Sequence, residues 1–413
     1  MIERELTERI VREVGTPTYI YSADRVRSQF AILEKSLTGI PHKIHYSAKA
    51  NSNRSILELM RSLGAGADIV SAGELHRCIR AGMDPTEIVF SGVGKTRAEL
   101  EYAIESGVGL INVESFGELK GLAETAKRLN TKTSLGIRIN PNLATDTHPY
   151  IQTGHGSAKF GVSRDDAKEM VAWLRENAEE LDLISLGVHL GSQIARVEPY
   201  KQAMRLLVDL AAELTASGVD TLQSLDLGGG LAIDYGETQA IDAESLFGVV
   251  KGELAGTDLT LLIEPGRFLL GNAGLLVMTV LYTKRAGSRN VVVVDAGMND
   301  FIRPSLYGAK HRIEVVGDEA AREKGTSTIV DVVGPVCETG DYLGQEVRLG
   351  AVEEGALLAV HGAGAYGFSM SSTYNSRPRP CEVLVEQGKF AVIREREKIE
   401  DLARGEAAEL NWR

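Results

Sequence analysis

The chain has 413 residues, too many for one compact core and suited to two domains of about 150 residues or more each. Hydrophobic residues make up 43% and charged residues 25%, the balance of an ordinary folded protein, which excludes a chain that is mainly disordered. Lys and Arg number 45 against 57 Asp and Glu, and the net charge of −12 repels polyanions; no local basic stripe offsets it, which excludes a nucleic-acid partner. The first fifteen residues carry seven charges and so lack the apolar centre of a signal peptide. The longest apolar run, Gly274 to Tyr282, falls far short of the roughly 20 residues of a bilayer span, so no membrane partner is expected. Cys78, Cys337 and Cys381 show no CxxC spacing, which argues against a disulfide framework or a metal site. A cytoplasmic protein is expected.

In chain order, Thr16–Ser22 (TPTYIYS) reads as a first strand. From 44 to 266 a unit then repeats: a short apolar strand, a polar or glycine-containing turn, and an amphipathic stretch. The strands are Ile44–Lys49, Ala67–Ser71, Ile88–Ser91, Gly109–Glu114, Ser134–Asn140, Ile184–Leu190, Ser224–Leu227 and Leu259–Glu264. Between them lie helical patterns. Met204, Leu207, Val208, Ala211 and Leu214 stand at offsets 0, 3, 4, 7 and 10. Strand–helix alternation implies parallel strands, and eight units in this length match a closed (β/α)8 barrel, with an open doubly wound sheet as the other α/β solution. Residues 141–163 form a long Gly-, His- and Thr-rich connection inside it. Beyond about residue 275 the runs become short and β-branched, from Leu275–Tyr282 to Phe390–Arg394, and predict a mostly β domain, a barrel or sandwich. The division expected is 1–34 as an N-terminal segment joining the β domain, 35–275 as the barrel, and 276–413 as the β domain.

In such a barrel the reactive groups sit at the C-terminal ends of strands, with phosphate held after strands seven and eight. The first strand ends in Lys49, and alternation puts His45, Ser47 and Lys49 on one face. A lysine there would be largely desolvated, which makes its amine nucleophilic; a salt-bridged rim lysine is the plainer reading. The sixth strand ends at His189, the seventh at Gly228-Gly229-Gly230, and the eighth at Glu264-Pro265-Gly266-Arg267. Three glycines let the backbone approach an anion, and Arg267 adds a charge-assisted contact beside them. Closure places Glu264 beside the Lys49 strand. An imine-forming lysine, a carboxylate, an aromatic ring and a phosphate cradle together point to pyridoxal 5'-phosphate.

The strings Tyr46–Asn51 (YSAKAN), His189–Gln193 (HLGSQ), Asp226–Gly230 (DLGGG), Glu264–Arg267 (EPGR), Cys337–Asp341 (CETGD) and Gly364–Ser369 (GAYGFS) resemble those of the diaminopimelate decarboxylases. That family comprises barrel-type (fold type III) pyridoxal-phosphate enzymes, and the resemblance runs from about residue 16 to 400. YSAKAN, HLGSQ and EPGR are shared with the related ornithine and arginine decarboxylases; Gly297–His311 (GMNDFIRPSLYGAKH) and CETGD are narrower. The resemblance implies decarboxylation of meso-2,6-diaminopimelate to L-lysine and carbon dioxide, the last step of lysine biosynthesis.

By the same resemblance Lys49 would carry the cofactor, Glu264 would pair with its ring nitrogen and His189 would stack on its face. Ser192, Gly229, Gly230, Gly266, Arg267 and Tyr366 would surround the phosphate, with Asp68 behind them. Cys337 would be the proton donor. Arg303, Tyr307 and Glu338, with Arg267 and Tyr366, would hold the distal head of the substrate. The family further implies a homodimer in which Cys337 and Glu338 enter the other subunit's site. A decarboxylase of another basic amino acid or of a carboxylated polyamine is the neighbouring alternative. An inactive cofactor-binding regulatory homologue is the alternative of a different class, but such a protein is expected to lack the lysine or the thiol, and both are present.

Overall fold

A computed structural model describes residues 2–143, 154, 159–236, 239–317, 328–410 and 412 of the chain. The chain falls into two units. One begins at Arg27 and ends at Leu269; the other takes the residues up to Val26, Tyr235 with Gly236, and everything from Leu270 onward. The first boundary therefore lies within the helix Ala23–Ser36, several residues before the position drawn from sequence.

Strand β1 (Thr18–Ser22) belongs to the second unit. The first unit contains β2 (His42–Ser47), β3 (Gly66–Ile69), β4 (Ile88–Phe90), β5 (Leu110–Val113), β6 (Thr133–Arg138), β7 (Leu181–Gly187), β8 (Ser224–Asp226) and β9 (Thr260–Ile263). Each strand pairs in parallel with the next, and β9 returns to β2 with His42 opposite Leu261, so the sheet closes into the eight-stranded barrel expected. Strands β3, β4 and β5 are buried at every position. That burial explains why they read as short, mostly apolar segments without strict alternation, broken only by Asp68 in β3 and Asn112 in β5.

The helices that follow begin where a short polar side chain can take up an orphan amide. Asn53, Ser71, Thr96, Ser115, Ser163 and Asp242 each accept a hydrogen bond from a backbone N–H of the first turn, an arrangement worth about 1 kcal/mol per cap. The first four of these caps lie a few residues beyond the C-terminal ends of β2, β3, β4 and β5. They fix the loop geometry on the face where the reactive groups gather.

The second unit is mostly β. Its strands are β1, β10 (Gly274–Ala286), β11 (Arg289–Val294), β12 (Ile313–Val315), β13 (Thr328–Val333), β14 (Tyr342–Leu349), β15 (Leu357–His361), β16 (Cys381–Glu386) and β17 (Lys389–Arg394), arranged as a nine-stranded sheet. Long β10 pairs with β1 and β15 through its first half and with β11 through its second, shifting register between Val280 and Tyr282. Strand β1 lies between β10 and β16, so the N-terminal segment is an interior strand of this sheet. A helix over Arg4–Val14, not read from sequence, packs Ile10 against Ile20, Val277, Val383 and Val385. Among the described residues no helix is long and apolar enough to cross a membrane.

Candidate active site

Strand β2 ends at Ser47, and Lys49 sits in the single 3-10 turn Ala48–Ala50 beyond it. The alternation argument for Lys49 therefore fails: the turn, not the pleat, aims its side chain. Its Nζ donates to Asp68 Oδ2 at 2.9 Å, and Ser47 Oγ donates to the same oxygen at 2.7 Å. Ser47 Oγ also approaches the Glu264 carbonyl at 3.2 Å, across the β9–β2 closure. Asp68, at the end of β3, is fully buried, and its Oδ1 has no hydrogen-bond partner among the described residues. The lysine is less desolvated than a strand position implied, with 32% of its side chain exposed against 0% for Asp68.

Two more acids converge on the same end of the barrel. Asp226 closes β8, and its Oδ1 accepts from Gly228 N at 2.8 Å. Glu264 follows β9 and shares a hydrogen bond with Asp226. Burial, then the charges of Asp226 and Asp68, push Glu264 well above the carboxylate range, and Lys49 pulls it partly back. Burial also raises Asp226, against the pull of the Gly228 amide. Their common proton rests on Glu264, because Asp226 has the amide donor that steadies a negative charge.

His189 faces Glu264, with Nδ1 3.9 Å from Oε2. Gly229 N donates to that Nδ1 at 3.1 Å, so the ring hydrogen lies on Nε2. Burial, with the charges of Arg138 and Lys49, holds the imidazole well below its usual value and hence neutral. A flat neutral ring beside a proton-bearing acid suits an aromatic nitrogen heterocycle better than an anion.

The anion end lies across the glycine turn. Gly228 and Gly230 have φ of +69° and +89°, conformations that exclude most side chains. A Cβ on Gly229 would lie 2.3 Å from the Glu264 carbonyl oxygen, and one on Gly230 equally close to that of Gly191. The glycines thus bring the β7, β8 and β9 ends together, while the Gly228 and Gly229 amides serve Asp226 and His189. Buried Arg267 donates from Nη2 and Nε to Ser192 Oγ at 2.8 and 3.2 Å, placing a guanidinium and a hydroxyl together after Gly266.

Behind this end runs an ion-pair network not seen in the sequence. Arg138 donates to Glu114 at 2.9 Å, and the Gly92 and Gly161 amides donate to the same carboxylate at 3.0 Å. Lys95 and Glu118, almost wholly buried, pair at 2.8 Å. Glu114 thereby holds Gly161, near the end of the connection read as 141–163; most of that connection lies outside the described residues.

The remaining sequence-predicted residues belong to the β unit. Arg303 opens the helix Arg303–Tyr307 and is 5% exposed, with the Tyr307 ring 5.7 Å from its guanidinium carbon. Cys337 and Glu338 stand exposed on the turn from Gly334 to Asp341. Buried Asp341 pins that turn, accepting from Met298 N at 2.6 Å and Val336 N at 2.7 Å. Asn375, itself at φ +58°, accepts from Cys337 N at 2.8 Å, and Tyr374 OH donates to Glu338 at 3.3 Å. Ser305 Oγ donates to Gly340 O at 2.6 Å, tying the arginine's helix to the thiol's turn. Tyr366 is half-buried and holds φ +57°. Cys78 and Cys381 are buried, and burial pushes the Cys78 thiol up to about 12, leaving Cys337 as the accessible thiol.

Residues 23–271 match the family model for the pyridoxal-binding domain of pyridoxal-dependent decarboxylases. Over 397 residues the chain is 43% identical to a diaminopimelate decarboxylase of Helicobacter pylori, covering 96% of this chain and 97% of that one. The chain belongs to the diaminopimelate decarboxylase family. A Pseudomonas aeruginosa member is also 43% identical, over 97% of this chain and 94% of its own. The crystal structure of the Helicobacter pylori enzyme complexed with L-lysine superposes with a TM-score of 0.92 at 41% identity, covering 96% of this chain and 98% of that chain.

The family's cofactor is pyridoxal phosphate, and the residues present fit it. Lys49 offers an amine bonded to Asp68 Oδ2, while Asp68 Oδ1 has no partner among the described residues; Glu264 offers a buried proton, and Arg267 with Ser192 offers a guanidinium and a hydroxyl side by side.

Proposed function

We propose that this chain decarboxylates meso-2,6-diaminopimelate to L-lysine and carbon dioxide, completing lysine biosynthesis. The observation that carries the reading is the 43% identity over 96% of the chain to a named diaminopimelate decarboxylase, in a chain whose lysine and acid meet at one barrel end.

When bound, pyridoxal phosphate supplies a ring that spreads the electron pair left behind by departing carbon dioxide. Lys49 would carry it, with Asp68 and Ser47 holding the amine's position. Glu264 would keep the ring nitrogen protonated, and Asp226 would take up the resulting charge with it. His189 would cover the ring face. Ser192, Gly230, Gly266, Arg267 and Tyr366 would bind the phosphate, with Gly229 beside them holding His189 through its amide. Cys337 would deliver the proton to the carbon that lost its carboxylate, a role suited to an exposed thiol, whose S–H is a proton donor. Arg303, Tyr307 and Glu338, with Arg267 and Tyr366, would bind the distal amino-acid head.

The reading includes a homodimer in which Cys337 and Glu338 act in the partner's site, in keeping with their exposure on a pinned turn. It also places the protein in the cytoplasm, where three free cysteines are at home.

The test is a substrate panel with added cofactor. Carbon dioxide release from meso-diaminopimelate should exceed that from ornithine, arginine or lysine; faster turnover of any of these overturns the assignment. Arg303→Ala should raise KM for meso-diaminopimelate about tenfold or more, with a smaller change in kcat, because the distal carboxylate loses a charged hydrogen-bond partner. Steady-state kinetics checks it.

A further inference from the structure

We infer that His311 is a positioning residue for substrate recognition, orienting Arg303 so that it receives the distal carboxylate; the inference rests on the function proposed above. His311 lies just beyond the helix that Arg303 begins and is 8% exposed. Its ring is held edge-to-face by Tyr235 at 4.6 Å and Phe301 at 4.8 Å between centroids. Nδ1 is 2.9 Å from the carbonyl oxygen of His361. A carbonyl only accepts, so Nδ1 carries the hydrogen and Nε2 presents a lone pair. Arg303 Nε donates to that lone pair at 3.3 Å.

The consequence concerns which edge of the guanidinium meets substrate. An arginine can bind a carboxylate through its Nε–Nη edge or through its two Nη groups. With Nε committed to His311 and the Tyr235 and Tyr307 rings each 5.7 Å from Cζ, the plane of the group is set and the Nη1–Nη2 edge is directed at the carboxylate. A long side chain that would otherwise sample many rotamers is thereby ordered before substrate arrives. His311 accordingly favours a substrate with a second carboxylate over one ending in an amine alone.

The test uses the holoenzyme and measures L-lysine binding by calorimetry alongside kinetics, since lysine retains the distal head and needs no turnover to report on it. His311→Phe keeps an aromatic ring between Tyr235 and Phe301 but removes both hydrogen bonds. It should weaken lysine binding and raise KM for meso-diaminopimelate together, each about tenfold, with kcat changed no more than about twofold. Inhibition by 1,5-diaminopentane, which has no carboxylate, should stay as in the wild type. His311→Gln, which restores an acceptor toward Arg303, should recover most of the loss. If His311→Phe does not fold, His311→Asn, which keeps the bond to His361 but is too short to reach Arg303, should show the same pattern. Unchanged lysine affinity in the variant that folds, or parallel weakening of diaminopentane, overturns the inference. Should the wild type bind lysine but leave meso-diaminopimelate untouched, it is the proposed function that fails instead.

Discussion

Lys49→Ala is expected to yield a folded, colourless protein with no decarboxylase activity. The amine that would hold the cofactor disappears, and it is Lys49 that pairs with the buried Asp68 carboxylate. The fold should persist. Ser47 Oγ still donates to Asp68 at 2.7 Å, so the buried carboxylate keeps a donor, and the lost ion pair was one-third exposed on the lysine side. Absorbance after dialysis against cofactor, with circular dichroism as the control for folding, reads both halves of the expectation. A visible band that survives dialysis in this variant would contradict the role given to Lys49.

Cys337→Ala should slow turnover by about a hundred- to ten-thousandfold, the range for removing a positioned proton donor, while leaving cofactor absorbance and affinity close to wild type. The turn that carries the thiol is secured by Asp341 and by the Cys337 backbone amide, neither of which needs the sulfur atom. Cofactor loss in this variant would instead make the cysteine structural. Combining the two variants tests the composite site. Random pairing of inactive Lys49→Ala and Cys337→Ala subunits makes half the dimers mixed, each with one intact site, so activity should return to about a quarter of wild type. No recovery on mixing would place Cys337 in its own subunit's site.

Much of this was legible before any coordinates. The barrel strands are short, mostly apolar and largely buried, and six of the helices between them open on a polar cap, so both strand count and closure could be read. Glu264, Gly230 and Arg267 were picked out as candidates because a parallel barrel gathers its strand ends on one side. Lys49 was placed for an inexact reason: strand alternation stops at Ser47, and the turn Ala48–Ala50 decides where the amine goes.

What escaped depended on pairings distant in the chain. Asp226 was quoted only as the first letter of a glycine motif, yet it shares a proton with Glu264 because β8 and β9 are neighbours. Charged residues at adjacent strand ends were the available signal, and the same signal marks Arg138 and Glu114. The Arg4–Val14 helix was passed over because six Arg and Glu side chains within it obscure its few apolar positions. Strand β12 is three residues long, too short for any period to show.

In the proposed enzyme Lys49 and Glu264 address opposite ends of one pyridoxal phosphate, and borohydride reduction of the holoenzyme followed by peptide mapping tests the lysine's part in that arrangement. The reduction makes permanent whatever bond joins the cofactor's carbonyl carbon to a lysine amine. The label should fall on the peptide containing Lys49 and on no other. A label on a different lysine, or an unlabelled and fully active enzyme, would contradict the account.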